Sequence, residues 1–217
     1  MKETVAIIGA AGRMGFALAG AFARAGRRTL VHDLRMDALH EKLALILSKH
    51  PQAEIETACS AREASWEADI IIPAVPYQAQ QAVACEIRDV VTRKIVISLC
   101  NPIREQLDAL LTPTSAAEEL AQLLPYSRIV KTFNTVSAAD IENPVVHGMP
   151  LDCFVAGNDR DAVSTVRQLV QEIGLNPVTA GDLATSRILE AMTLIAMRIA
   201  RHCKFGERVG WKILAAP

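Results

Sequence analysis

The chain has 217 residues, 51% of them hydrophobic and 22% charged, with 23 Lys and Arg against 24 Asp and Glu. That balance leaves no basic surplus for nucleic acid or an anionic membrane, and the length suits one substantial core. A mean hydropathy of +0.21 points to some apolar surface covered by a second subunit.

Taken in chain order, short β-branched runs alternate with helical stretches, the pattern of a parallel sheet covered on both faces. Strands are predicted at Val5–Ile8, Thr29–His32, Ile55–Ala58, Asp69–Ala74, Lys94–Leu99 and Arg128–Phe133. Helices are predicted near Arg13–Ala25, Met36–His50, Ala61–Glu67, Tyr77–Val91 and Ala116–Leu124. Pro73 cannot donate to a ladder and is placed where its strand leaves the sheet. Ser115 and Glu118 predict a capping box for the last helix. After Phe133 the pattern changes. A loop is expected around Pro144–Pro150, then a strand Asp152–Ala156, a helix Arg160–Ile173 and a strand Asn176–Ala180. A long helix from about Leu183 to Cys203 is apolar nearly all round, the mark of a helix buried on more than one side.

The chemistry is concentrated at the first turn. Gly9, Ala10, Ala11, Gly12, Arg13, Met14 and Gly15 join an apolar strand to a helix with the spacing GxxGxxG. Gly9 permits the tight turn, Gly12 lets backbone approach a pyrophosphate, and Gly15 lets the helix press on the strand. The N–H groups at the helix start then face the phosphates. Asp33 ends the second strand, roughly twenty residues on, where a carboxylate accepts hydrogen bonds from an adenosine ribose. Its charge favours NAD, whereas Arg35 could pair with the 2′-phosphate of NADP. The expected fold class is therefore α/β, a Rossmann-type doubly wound and mainly parallel sheet. It carries a small C-terminal α/β extension ending in the long apolar helix. Residues 1–217 are read as one NAD(P)-binding domain, with 1–135 the dinucleotide-binding core and 136–217 a C-terminal cap for dimerisation.

In such a sheet, ligands lie across the carboxyl ends of the strands. The segments just past those ends supply the other candidates: Ala74, Val75 and Pro76; Cys100, Asn101 and Pro102; Asn134 and Thr135. Val75 and Pro76 can pack on the cofactor, backbone near Asn101 can reach ribose or carboxamide, and Asn134 can orient a substrate. Cys100 sits where a nucleophile could, but a reactive thiol needs a neighbouring base or cation, and none can be placed from sequence. No catalytic acid–base pair and no metal-ligand spacing stand out. No apolar run spans a membrane, no signal peptide is read at the N-terminus, and five scattered cysteines read as reduced thiols of a cytoplasmic protein.

Several stretches resemble the deazaflavin (coenzyme F420)-dependent NADP oxidoreductases across nearly the whole chain. They are Gly9–Gly15, Ala74-Val-Pro-Tyr77, Thr114-Ser-Ala-Ala-Glu118, Val130-Lys-Thr-Phe-Asn-Thr135, Phe154-Val-Ala-Gly-Asn-Asp159 and Ala180-Gly-Asp-Leu through Arg187-Ile-Leu-Glu190. The reductase domain of the membrane-bound ferric reductases is similar through the Lys-Thr-Phe-Asn-Thr and Val-Ala-Gly-Asn-Asp stretches. The resemblance implies hydride passed directly between a nicotinamide and a second ring, F420 or flavin, by a protein that mainly stacks the two rings. It also implies a homodimer made through C-terminal segments. His32-Asp33-Leu34-Arg35 departs from the small polar and arginine residues that NADP-using members carry there. Two other readings compete. One is an NAD(P)-dependent reductase of a small carbonyl or imine, whose relatives use a large helical second domain that this chain is too short to contain. The other is a non-catalytic NAD(H)-sensing module, distinguished by the absence of turnover.

Overall fold

The computed structural model describes residues 2–206 and 208–214; residues 1, 207 and 215–217 of the expected single domain lie outside them. Six strands follow the N-terminus: β1 (Val5–Ile8), β2 (Thr29–His32), β3 (Ile55–Thr57), β4 (Ile70–Pro73), β5 (Ile95–Ser98) and β6 (Arg128–Lys131). Between them lie α1 (Arg13–Arg24), α2 (Met36–Lys49), α3 (Ala61–Glu67), α4 (Gln80–Ile87) and α5 (Ala116–Leu123). Except for the edge strand β3, each of these strands buries residues on both faces. Val5 and Ile7 join a core with α1, α2 and the later helices. Ala6 and Ile8 point the other way, into a core with α3, α4 and α5. Alternate residues therefore pack on opposite layers, as in a sheet covered on both sides.

The second half contains α6 (Ala138–Glu142), β7 (Val145–Val146), β8 (Met149–Pro150), β9 (Asp152–Gly157), α7 (Arg160–Glu172), β10 (Asn176–Gly181) and α8 (Ser186–Cys203). The main sheet has the order β10-β9-β6-β5-β4-β1-β2-β3. Its pairings are parallel except β6 with β9, which is antiparallel. The strand order reverses beside β1, which pairs with both β2 and β4, and in a doubly wound sheet ligands bind at the carboxyl ends near such a reversal. Pro73 is the last residue of β4, as its missing N–H requires.

Several details differ from the sequence reading. The Pro144–Pro150 loop is a small hairpin, β7 with β8, turned at His147 and Gly148, both with positive φ. That is the backbone of a two-residue hairpin turn, with His in place of the usual Asn or Asp. The helix expected over Tyr77–Val91 is α4 with a 3₁₀ turn at each end. The box at Ser115 is half formed: Ser115 Oγ accepts from the Glu118 N–H, but the Glu118 carboxylate takes the Ser115 hydroxyl and Arg187 instead of the cap's backbone. A full capping box forms instead at Ser137 and Asp140, and opens α6. After α8 the chain returns along β9, where the Ile213 N–H and the Lys212 ammonium both bond Asp152.

Candidate functional site

The glycine turn is built as its spacing demands. The N–H groups of Gly9 and Ala10 both donate to the His32 carbonyl, at 2.8 and 3.1 Å, which pins the turn to the end of β2. Gly9 has φ of +88°, and a Cβ there would lie 2.6 Å from the Ala74 carbonyl oxygen. A Cβ at Gly15 would overlap the Gly9 carbonyl oxygen and Ala10 Cα, so the close helix–strand approach needs glycine. α1 begins after Gly12 with no side-chain cap. The first N–H groups of a helix lack intrahelical acceptors and are left to a ligand.

Asp33 is nearly buried beside this turn. Its Oδ2 accepts the Ala11 N–H at 2.9 Å, and its Oδ1 accepts from the Arg35 N–H at 2.9 Å and from Arg35 Nε at 3.3 Å. Burial alone would raise this carboxyl, but the Arg35 and Ala11 donors hold it below the ordinary value. Asp33 thus braces the glycine turn, and its charge is paired with an exposed guanidinium. Lys42 of α2 adds a second brace, donating to the Ala11 carbonyl at 2.8 Å.

A cleft of two connected parts runs across the carboxyl ends of β4, β5 and β6. Met14, Leu99, Asn101 and Met197 border both parts. One part, about 380 Å³, is walled by Arg13, Asn134, Thr135, Val136 and Thr193. The other is walled by Val75, Pro76, Tyr77 and Cys100, and by Ile103 and Leu107 of a loop that follows β5. The structure thus brings Arg13, Met14, Val75, Pro76, Cys100, Asn101, Asn134 and Thr135 to one cleft. Ala74 lies against the glycine turn. Asp33 and Arg35 stand apart from the cleft, at the end of β2. Pro102 takes no part in the cleft wall: it is buried, and its carbonyl accepts the Leu111 N–H to close the loop.

Phe133, fully buried with φ of 60°, breaks β6 with a left-handed turn and swings the next two residues into the cleft. Asn134 Nδ2 faces three acceptors: Asn101 Oδ1 at 3.1 Å, the Leu189 carbonyl at 3.0 Å and Thr193 Oγ at 3.2 Å. These fix the amide's orientation. Asn134 Oδ1 and Thr135 Oγ are then buried with no hydrogen-bond partner. Buried polar atoms are normally satisfied, so two orphans in one cavity wall mark a place for a ligand's polar groups.

The ionisable groups nearby are already engaged. Lys131 Nζ lies 2.6 Å from Glu190 Oε1, and both side chains are fully buried. Burial pushes the Glu190 carboxyl up, opposed by the Lys131 ammonium and the N–H at the start of α5. Tyr77 donates to Glu119 at 2.8 Å, and burial with that partner raises its phenol to about 12. Cys100 Sγ donates to Gln80 Oε1 at 3.0 Å, and burial raises its thiol to about 11. Cys100 is therefore a protonated thiol at neutral pH. Its alkylation by iodoacetamide, followed by mass spectrometry, should stay slow at pH 8 and rise about tenfold per pH unit up to its pKa. Rapid modification at pH 7 would show an activated nucleophile.

Sequence reading missed Lys131, Gln80, Glu190, Thr193 and Met197. Glu190 did carry a signal, as a lone carboxylate within an apolar helix. Thr193 carried none. Among the described residues there is no cluster of metal-binding side chains and no helix long and apolar enough to cross a membrane.

The sequence matches the model of the family described as "NADP oxidoreductase coenzyme F420-dependent" over residues 4–102. The F420-dependent NADP reductase of Methanocaldococcus jannaschii is 30% identical over 92% of this chain and 94% of its own length. A provisionally named F420-dependent NADP-reductase of Arthrobacter sp. FB24 superposes with a TM-score of 0.84 at 23% identity, covering 97% of this chain and 99% of that one. An imine reductase of Myxococcus stipitatus, in complex with NAD+, superposes with a TM-score of 0.68 at 21% identity, over 94% of this chain and 64% of that one.

Proposed function

Because this chain belongs to the coenzyme F420-dependent NADP oxidoreductase family, we propose that it transfers hydride between NADP and F420 in the cleft at the ends of β4, β5 and β6. The observation that carries the site is the pair of orphaned atoms, Asn134 Oδ1 and Thr135 Oγ, in a cleft that opens beside an uncapped, glycine-lined helix start. Those features fit a dinucleotide: an anion at the helix N-terminus and a polar ring substituent at Asn134. The two ring cofactors supply the two-electron chemistry, and no side chain need become covalently attached or change charge. The protein's part is to hold and shield. The Met14 and Gly15 backbone N–H groups would receive the pyrophosphate, while Gly12, whose own N–H bonds the Gly9 carbonyl, leaves room for it to approach. Asn134 and Thr135 orient a ring through the free oxygens. Met14, Val75, Pro76 and Leu99 exclude water. The test is oxidation of NADPH by F420, by flavin and by cyclic imines in parallel. Turnover with F420 at least about tenfold faster than with the others supports the reading, and turnover with imines alone contradicts it. Binding of NADPH with no turnover by any acceptor would favour a sensor.

NADP is the dinucleotide of this reading. The preference for NAD expected from Asp33 rested on an unpaired carboxylate facing the 2′-phosphate. In the structure that carboxylate is tied to Ala11 and Arg35, and the Arg35 guanidinium is exposed beside it. Arg35→Ala should weaken NADPH binding about tenfold, as loss of one solvent-screened phosphate contact does, and leave NADH within about twofold. Calorimetric titration of both cofactors checks this; equal loss for both would remove Arg35 from the 2′-phosphate site.

The proposed organisation is a cytoplasmic homodimer of single-domain chains, with residues 136–217 the cap that forms the contact. The five cysteines are free, in keeping with a reducing compartment. α8 buries Leu189, Glu190 and Ala196 but leaves Ile188, Ile195, Met197 and Ile199 exposed. A row of exposed aliphatic side chains on one helix supports a subunit contact. Ile188→Arg with Ile195→Arg should convert a dimer to a monomer in sedimentation velocity; a wild-type protein that sediments as a monomer would end this part of the proposal.

A further inference from the structure

The cleft rests on an ion pair that hydride transfer does not consume. Lys131, at the end of β6, and Glu190, in α8, are each 0% exposed. The Lys131 ammonium also donates to the Cys100 carbonyl at 2.7 Å, and the Glu190 carboxylate accepts the Ala116 N–H at 3.0 Å. One pair thus ties together β6, the turn after β5, the start of α5 and α8. Stability does not account for it, because apolar residues of equal volume hold a core as well as a buried ion pair does. What the pair supplies is direction: short, charge-assisted bonds to fixed partners.

Three of the tied segments each deliver one member of the polar cluster in the cleft. Asn101 follows Cys100, Asn134 lies three residues past Lys131, and Thr193 lies three past Glu190. These three are bonded to one another: Asn101 Nδ2 to the Asn134 carbonyl at 3.0 Å, Asn134 Nδ2 to Asn101 Oδ1, and Thr193 Oγ to the Asn134 carbonyl at 2.9 Å. The cluster is what leaves Asn134 Oδ1 free. A shift of the Cys100–Asn101 turn or of α8 would let the amide rotate and satisfy that oxygen internally.

We propose that Lys131 and Glu190 are positioning residues for the nicotinamide end of the dinucleotide, locking the turn after β5 and α8 in the register that keeps Asn134 Oδ1 unpartnered in the cleft wall. The proposal rests on the cleft being the nicotinamide site. It places no ligand contact on either residue; both act through the Cys100 carbonyl and α8.

The test separates the two halves of the cofactor. Lys131→Met combined with Glu190→Gln removes both charges, and the Gln amide oxygen still accepts the Ala116 N–H. Calorimetry then compares NADPH with 2′,5′-ADP, which carries the phosphates and adenosine without the nicotinamide. The expected result is 2′,5′-ADP affinity within about twofold of wild type and NADPH affinity at least about tenfold weaker, equivalent to about 1.4 kcal/mol. Unchanged NADPH affinity, or equal loss for both ligands, overturns the proposal while the site assignment stands. A wild-type protein that binds NADPH no more tightly than 2′,5′-ADP removes the site assignment and the proposal with it. Should the double variant not fold, Lys131→Arg, which keeps the charge but alters the reach to Cys100, gives the same comparison with the same readings.

Discussion

Gly12→Val should weaken dinucleotide binding by at least about a hundredfold in a protein that remains folded, because two charge-assisted bonds to a pyrophosphate together contribute about 3 kcal/mol or more. The fold tolerates the change. Gly12 has φ of −73° and ψ of 165°, extended backbone that any residue adopts. A Cβ there would lie 3.1 Å from the Gly9 carbonyl oxygen and 3.9 Å from that of Ala74, so small local shifts relieve it. The valine methyls then stand over the helix start, where the phosphates must approach. Gly15→Val is the contrasting control, since its Cβ would lie 2.8 Å from Ala10 Cα, a clash that must displace α1. Calorimetry with NADPH, beside a thermal melt of each variant, reads both effects. Unchanged affinity in a folded Gly12→Val protein would show that the pyrophosphate lies elsewhere.

Thr135→Leu should slow hydride transfer by about a hundredfold or more, the loss expected when a reacting ring is displaced by about 1 Å. Thr135 is 5% exposed and its Oγ has no partner, so it stands in the wall with no slack behind it. Leucine is larger and takes its added volume from the cleft. It also removes the free oxygen. Affinity for 2′,5′-ADP should change little, because the proposed site puts that half of the cofactor at the glycine turn. Single-turnover oxidation of NADPH by F420 reads the rate; a rate within about threefold of wild type would mean that neither ring lies against Thr135.

The core architecture could be read from the sequence because its signals are local. Four-residue apolar strands, the glycine spacing and the cap at Ser115 depend on neighbours a few positions apart. The bounds of β1 and β2 agree with their β-branched runs. What was not legible depends on distant pairing or on unusual backbone. The antiparallel β9 has the same composition as a parallel strand, and only its partner β6 sets its direction. The left-handed turn at Phe133 has no glycine or asparagine at that position to announce it. The candidate site divides the same way. Asn134 and Thr135 stood out by following a strand, whereas the Asn134 partners Thr193 and Leu189 come from more than fifty positions away. Asp33 was placed correctly in the chain, but its paired state depends on Ala11 and Arg35 and could not be read from its strand.

Direct hydride transfer between two rings in one cleft, as proposed, leaves an isotopic signature. The protein is mixed with F420 and NADPH carrying deuterium on the transferring face of the nicotinamide, in ordinary water, and the reduced deazaflavin is analysed by mass spectrometry. Each reduced F420 should carry one deuterium from the nicotinamide. Reduced F420 without deuterium, or F420 left unreduced while the deuterated NADPH is oxidised by an added imine or carbonyl compound, would contradict it.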